Sequence, residues 1–233
     1  MQLDEDWIRS RQNRLVETLA EQGVEHALLT RAESIQWLTG AYVGPLFCPS
    51  AAIDAAGRVT LVLPNRKVGT PAVADEVLGY EEKKLSTMRD ASEQRHASVD
   101  AVLATFPAKT QRIGYEATSA FCAIGERLGA SPVDLDAALF RLRRRKDADE
   151  LAIMARANEA NRAMYELARS RIGPGLNELD LYNELHGVAV RTLGEPLTYF
   201  GQDFRCNARG GPPRDRSAEE GELWILDLGV GLR

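Results

Sequence analysis

Gly221-Glu222-Leu223-Trp224-Ile225-Leu226-Asp227-Leu228-Gly229-Val230 is the stretch on which the reading of this chain turns. Large apolar residues from Leu223 to Leu226 run straight into a carboxylate, and Gly229 follows shortly after it. A run this short, containing Trp and Ile and entered through Glu219-Glu220-Gly221, reads as a covered β-strand rather than a helix. It delivers Asp227 at its tip. A carboxylate in that position is expensive to desolvate unless a metal ion, an arginine or water meets it. Asp-x-Gly is also a common way to leave a strand through a turn, so the stretch by itself leaves a metal ligand and a turn residue both open.

Upstream, Thr198 to Asn207 reads as a polar strand region, and Arg209 to Arg216 as a loop leading into the strand. Before these come two helices. Asp147-Ala148-Asp149-Glu150 has the form of a capping box, and from it Leu151, Met154, Ala157, Ala160, Met164, Leu167 and Ala168 keep helical spacing as a core stripe. Gly173-Pro174-Gly175 ends that helix. Asn177 caps the next one, in which Leu181, Leu185 and Val188 recur before Gly194. The basic run Arg141-Leu142-Arg143-Arg144-Arg145-Lys146 reads as a solvated linker face, with an anion site as the alternative.

The first part of the chain alternates helix and strand. A helix over 4–22 ends at Gly23, a strand spans Val24 to Thr30, and Ala32 to Gly40 runs into a glycine turn. Ala51 to Asp54 and Arg58 to Leu63 form a hairpin about Ala55-Ala56-Gly57. A helix is expected within Asn65 to Glu76, a short strand over Val77 to Glu81, and a surface helix over Arg89 to Phe106 with Val99, Val102 and Leu103 as its spine. A strand at Arg112 to Glu116 is followed by a helix through Ala120, Ile124 and Leu128. This pattern predicts an α/β domain with a mixed sheet, because a hairpin interrupts the crossovers. The expected organisation is a first domain over 1–139, a basic linker over 140–146, and a second, α+β unit over 147–233.

Composition excludes several functions. The net charge of −5 argues against a general nucleic-acid binder. The acidic start and the lack of a long apolar window predict a cytoplasmic protein without a membrane span. Cys48, Cys122 and Cys206 are odd in number and far apart, which fits small buried residues rather than a disulfide or CxxC site. His26, His96 and His186 each read as structural or solvated, since none has a second ligand at a metal-binding interval. No phosphate-loop, dinucleotide, HExxH or GxSxG motif occurs.

The ordered pieces together resemble a known family. Leu142-Arg143-Arg144-Arg145-Lys146 through Glu150-Leu151 is similar to the "LRxxKxxxEI" entry of the pita-bread metallopeptidases, the group of aminopeptidase P, prolidase, creatinase and methionine aminopeptidase. Ile172-Gly173-Pro174-Gly175-Leu176-Asn177-Glu178 resembles "IxPGxTE", Arg216 to Leu223 resembles "Rx(I/L)xxGDL", and Ile225-Leu226-Asp227-Leu228-Gly229 resembles the strand carrying the family's first metal ligand. Ile35-Gln36-Trp37-Leu38-Thr39-Gly40 and Ile113-Gly114-Tyr115-Glu116 are similar to motifs of the creatinase-type N-terminal domain. The resemblance covers nearly the whole chain.

It implies a creatinase-type α/β domain followed by a pita-bread domain, and hydrolysis of bonds involving proline in peptide substrates. It further implies two divalent ions, manganese, cobalt or zinc, held by two Asp, one His and two Glu, with a homo-oligomeric assembly. Two ions roughly 3.5–4 Å apart activate a shared water and polarise the scissile carbonyl. Asp227 is the first of these ligands. The second is expected roughly eleven residues later, whereas Arg233 lies six residues after Asp227. The pita-bread part is therefore expected to be incomplete, with no catalytic set assembled and no ion pair held by these residues alone. The loop Arg209 to Arg216 lacks the family's substrate-binding His. A non-catalytic binding or dimerisation module is the alternative reading, and a creatinase-like hydrolase of small guanidino or amidino compounds is a third.

Overall fold

The computed structural model describes residues 3–119 and 131–232, which divide into two compact units, Gln2–Asp147 and Ala148–Arg233. The helix expected through Ala120, Ile124 and Leu128, and Cys122 with it, lies outside the described residues.

In the first unit, α1 (Glu5–Gln22) precedes β1 (His26–Leu29), α2 (Ala32–Thr39), β2 (Ser50–Asp54), β3 (Val59–Pro64) and β4 (Glu76–Tyr80). A small hairpin, β5 (Lys83–Lys84) and β6 (Thr87–Met88), leads to α3 (Ala91–Leu103), β7 (Arg112–Tyr115), β8 (Ser131–Asp134) and α4 (Asp136–Arg144). The main sheet runs β4-β3-β2-β1-β7-β8. β1, β2 and β3 pair antiparallel, while β4, β7 and β8 join parallel to their neighbours, so the sheet is mixed as the hairpin implied.

Residue alternation explains how both faces are covered. Ala27 and Leu29, Ala51 and Ile53, and Leu61 and Leu63 enter one core with Leu15 and Leu19 of α1, Ile35 and Leu38 of α2, and Leu139 of α4. The intervening Leu28, Ala52 and Val62 enter the other core with Val99 and Val102 of α3. A strand period of two thus distributes one hairpin between two apolar layers.

Polar groups fix the helix ends. The Asp4 carboxylate accepts the Asp6 and Trp7 N–H groups at 3.0 and 3.2 Å, and Gly23, at φ 63, closes α1 in the left-handed region that glycine enters without a Cβ clash. At α2, Arg31 supplies no side-chain cap. Glu116 replaces it from the end of β7, its buried carboxylate accepting the Thr30 and Arg31 N–H groups at 2.7 and 2.8 Å. At the other end of α2, Arg11 Nε donates to Trp37 O at 3.0 Å and Gln12 Nε2 to Leu38 O at 2.9 Å. Arg11 and Arg14 also reach Asp147 at 3.3 and 2.6 Å, which ties the last residue of the unit to its first helix.

Two local expectations are corrected, and one strand comes in addition. Within 65–76 there is one 3₁₀ turn, Asn65–Lys67, and not a longer helix. Gly69 and Pro71 break the run, and the Val73 and Asp75 N–H groups bond instead to Thr39 O and Val59 O. The basic run is not a linker over 140–146, because Arg141 to Arg144 form the end of α4. Leu139 buries itself in the core and Leu142 packs against it, leaving Arg141 and Arg144 exposed at the helix C-terminus, where the macrodipole favours cations, while half-buried Arg143 donates to Ser34 Oγ at 3.3 Å. The additional strand, β8, was not foreseen. Its Ser-Pro-Val-Asp sequence is tolerated because it is an edge strand.

The second unit contains α5 (Ala148–Arg171), α6 (Glu178–Leu193), β9 (Tyr199–Phe200), β10 (Asp203–Cys206), β11 (Trp224–Asp227) and β12 (Val230–Gly231). β10 pairs antiparallel with β11, and β9 with β12. Ala160, Met164 and Ala168 of α5 meet Leu181, Leu185 and Ala189 of α6, and Phe204 and Leu228 complete that core. The expected α5 stripe is core only in its later turns, since Leu151 and Met154 are 53% and 48% exposed. α6 ends beside Arg156, which donates to Leu193 O, so the first two turns of α5 run past the helix they would pack on. Among the described residues no helix is long and apolar enough to cross a membrane.

Candidate functional site

Asp227 ends β11 as expected, but the strand is not covered on both sides. Trp224 and Leu226 pack toward the helices, whereas Ile225 is 42% exposed and Asp227 is exposed beside it. The period of two thus puts the acid on the bare face of the sheet. Its cross-strand partner in β10 is Asp203. Two carboxylates directly opposite each other disfavour the pairing unless something cationic lies nearby. Asp203 is partly satisfied, because the Gly211 N–H donates to its Oδ1 at 2.6 Å. Gly211 holds φ 112, and a Cβ on it would come within 2.9 Å of the Arg205 guanidinium, so the loop depends on glycine at that point.

Behind this face lies a network that holds β10 and β11 in register. Glu178, the first residue of α6, is completely buried. Its carboxylate accepts the Cys206 N–H at 3.0 Å, the Arg214 N–H at 2.7 Å, and the Arg214 guanidinium at 3.1 and 2.6 Å. The Cys206 thiol donates to Glu178 at 3.3 Å and accepts from Arg216 at 2.7 Å. Arg216 then forms a two-point pair with Glu222 at 2.7 and 2.5 Å, and Asn207 Nδ2 donates to the same carboxylate at 2.7 Å.

The electrostatics follow from these contacts. Burial pushes the Glu178 carboxyl up, but the Arg214 hydrogen bonds, joined by the Cys206 and Arg214 N–H groups, override it and hold the group at about 2. The Arg216 pair, with the Glu219 N–H, brings Glu222 to about 2 as well. Burial, and then donation to Glu178, raises the Cys206 thiol, which leaves it a packing and hydrogen-bonding group rather than a nucleophile.

Loop residues Arg214 and Arg216 therefore face inward onto Glu178 and Glu222 and serve the scaffold. The histidines keep structural roles. His26 stacks on Phe106 at 4.5 Å with its pKa lowered by burial, and His186 meets Phe200 edge-on at 5.0 Å. Among the described residues, no group of three or more metal-capable side chains includes Asp227, His186 or His26. Among the described residues, the donor set at Asp227 amounts to one exposed carboxylate with a second across the strand pair.

The family model for the creatinase/prolidase N-terminal domain matches residues 11–144, more than half of the chain. The chain belongs to this family. No curated protein matches the sequence. Among solved structures, this creatinase/prolidase-family chain is similar to the prolidase of Pyrococcus horikoshii, at a TM-score of 0.74 and 16% identity, covering 95% of this chain and 60% of that one. It is similar to the Xaa-Pro dipeptidase of Bacillus anthracis, at 0.74 and 20% identity, covering 96% and 61%. The X-Pro aminopeptidase of Thermotoga maritima matches at 0.67 and 16% identity, covering 94% and 61%. At these identities the likeness establishes the fold, a creatinase-type domain with a mixed sheet followed by an incomplete pita-bread domain. The chain spans about 60% of the length of these structures.

Sequence reasoning read Asp147 to Glu150 as a helix cap, and the boundary between the two units falls after Asp147. That reasoning missed Glu178, Arg214 and Cys206 as a linked set. Glu178 directly follows the capping Asn177, and an acid in a first helical turn is ordinary there, so nothing local marked it as buried and paired.

Proposed function

We propose that these residues are the N-terminal portion of a prolidase or Xaa-Pro aminopeptidase type of hydrolase, acting on peptides at bonds involving proline. Asp227 would supply one carboxylate ligand to a divalent-metal centre whose other ligands come from polypeptide beyond these 233 residues. The observation that carries this reading is the match of nearly all of this chain to about 60% of each solved relative, with the Asp227 face of β11 left bare. As an isolated polypeptide the chain is then inactive, and a cytoplasmic location fits its expected peptide substrates.

The purified chain, incubated with manganese or cobalt and Xaa-Pro peptides, should release no product. Cleavage abolished by Asp227→Ala would overturn the proposal. A nucleotide sequence that continues past the Arg233 codon into a "GYxxDxTRT"-like strand, in any frame, would support it directly. A second reading is a non-catalytic binding or dimerisation module, which requires a first unit with its own core, as its two apolar layers provide. Capture of a protein partner by a stable, monodisperse chain would support that reading.

A further inference from the structure

One end of the first unit's main sheet borders a cavity of about 240 Å³, whose lining includes His26, Asp54, Arg58, Thr60, Glu76 and Phe106. The strand period of two explains its polar character. Leu28, Ala52 and Val62 lie in the core under α3, and two residues further along the same face come His26 of β1, Asp54 of β2 and Thr60 of β3. α3 stops at Leu103, and Phe106 of the loop after it borders the cavity.

Three polar groups there have unused hydrogen-bonding capacity. His26 sits directly opposite Asp54 in the β1–β2 pair, where facing Cβ atoms lie about 5 Å apart. The two do not bond. The imidazole stacks on Phe106 at 4.5 Å instead, and its ring nitrogens have no hydrogen-bond partner among the described residues. Asp54 spends Oδ1 on the Ala56 and Arg58 N–H groups, at 2.9 Å each, in the hairpin turn, and among the described residues nothing donates to its Oδ2. Thr60 is buried, at 6% exposure, and its hydroxyl likewise has no partner among these residues.

Burial lowers the His26 pKa against the raising influence of Asp54 and Glu25, so the ring is neutral near pH 7 and one nitrogen is an acceptor. The set is then a carboxylate oxygen, a ring nitrogen and a hydroxyl oxygen on three adjacent strands. A primary ammonium carries three N–H donors and no acceptor, which matches it. A metal ion does not, since among the described residues no group of three or more metal-capable side chains includes His26 or Asp54. Arg58 is engaged with Glu76 at 3.2 Å, which leaves Asp54 as the lining carboxylate without a cationic side chain paired to it. Ala52 and Phe106 supply apolar wall for a short carbon chain.

We propose that this cavity binds the primary ammonium group of a small aliphatic amine, with Asp54, His26 and Thr60 as its three acceptors. All of these residues belong to the first unit, so the site is independent of the peptidase reading and would stand if that failed.

NMR on the full chain tests it, because the chain has three histidines whose ring signals can be followed singly. n-Butylamine hydrochloride at neutral pH should shift the His26 ring signals saturably and leave those of His96 and His186 in place. n-Butanol, which lacks the charge, should shift none of them. Asp54→Asn keeps the Oδ1 that closes the hairpin turn, so it should melt like the wild type while binding the amine roughly tenfold more weakly, the loss of one charged hydrogen bond. Thr60→Val keeps the branched shape that suits the strand and should also weaken binding. No saturable shift at His26, equal shifts at all three histidines, an equal response to n-butanol, or wild-type affinity in either variant would overturn the proposal.

Discussion

The buried Glu178 carboxylate at the start of α6 receives the Arg214 guanidinium at two points, 3.1 and 2.6 Å, across 36 residues of chain. This pair joins the helix to the loop between β10 and β11 and so sets where Asp227 emerges. Removing Arg214 leaves a buried acid with backbone and thiol donors alone, and Arg214→Ala should destabilise the second unit by about 2–4 kcal/mol. Urea unfolding followed by fluorescence in a Trp7→Phe/Trp37→Phe background, where Trp224 is the emitter, measures it. A loss under about 0.5 kcal/mol, the size of an ordinary surface change, would show that the pair is not holding the unit together.

The same acids give stability a pH dependence of definite sign. Glu178 and Glu222 sit at about 2 in the fold, below the ordinary carboxylate value of roughly 4.3. Their folded pKa values are depressed, so their contribution is complete above the unfolded pKa and is lost as pH falls from there toward 2. Unfolding midpoints of the second unit should be flat above pH 5 and drop steadily below about 4.3. Glu178→Gln should shallow that slope. An identical slope in the variant would assign the acid sensitivity elsewhere.

Glu116 caps α2 from a strand 85 residues away from Arg31 in the chain. Glu116→Ala should lower the stability of the first unit by about 1–2 kcal/mol, as loss of a helix cap does, and should leave the second unit unchanged. Hydrogen exchange at the Thr30 and Arg31 amides reads it site by site: both should exchange faster in the variant. Unaltered protection there would contradict the capping role.

The first unit should fold by itself when cut after Asp147, and less well when cut after Leu139. The shorter piece divides α4, losing Leu142 from the core and Asp147 from Arg11 and Arg14. Thermal melts of the two fragments should rank them in that order, and limited proteolysis of the whole chain should cut within 148–233 first. Equal melting of the two fragments would show that the region from Phe140 to Asp147 is dispensable.

Asp227 faces Asp203 across the strand pair and is exposed, so Asp227→Asn should be neutral or slightly stabilising, by up to about 0.5 kcal/mol. Equilibrium dialysis of the isolated chain against manganese should find no bound pair of ions. Two bound ions per chain, lost in Asp227→Asn, would overturn the view that these residues alone do not build the cage.

What could be read from the sequence was what repeats locally. The alternation in Ala51 to Leu63 gave the hairpin, Asn177 and Gly23 marked helix ends, and the apolar run ahead of Asp227 gave a strand with an acid at its tip. The groups that brace the site were not legible, because their partners are distant: Glu178 meets Arg214 36 residues on, and Arg11 meets Asp147 136 residues on. Charge was ambiguous for a different reason. Arg141 to Arg144 look alike as a solvated linker or as the wet side of a helix, and burial of Leu139 decides between them. The exposure of Ile225 depended on what packs over β11, which no pattern within the strand records.

That bare face has a meaning inside a cell. Leu223 is 79% exposed and Ile225 stands beside the unpaired carboxylate face of β11. Branched apolar side chains on a strand with an open edge are what holdase chaperones and quality-control proteases bind. To that machinery the outer side of β11 resembles a protein caught midway through folding.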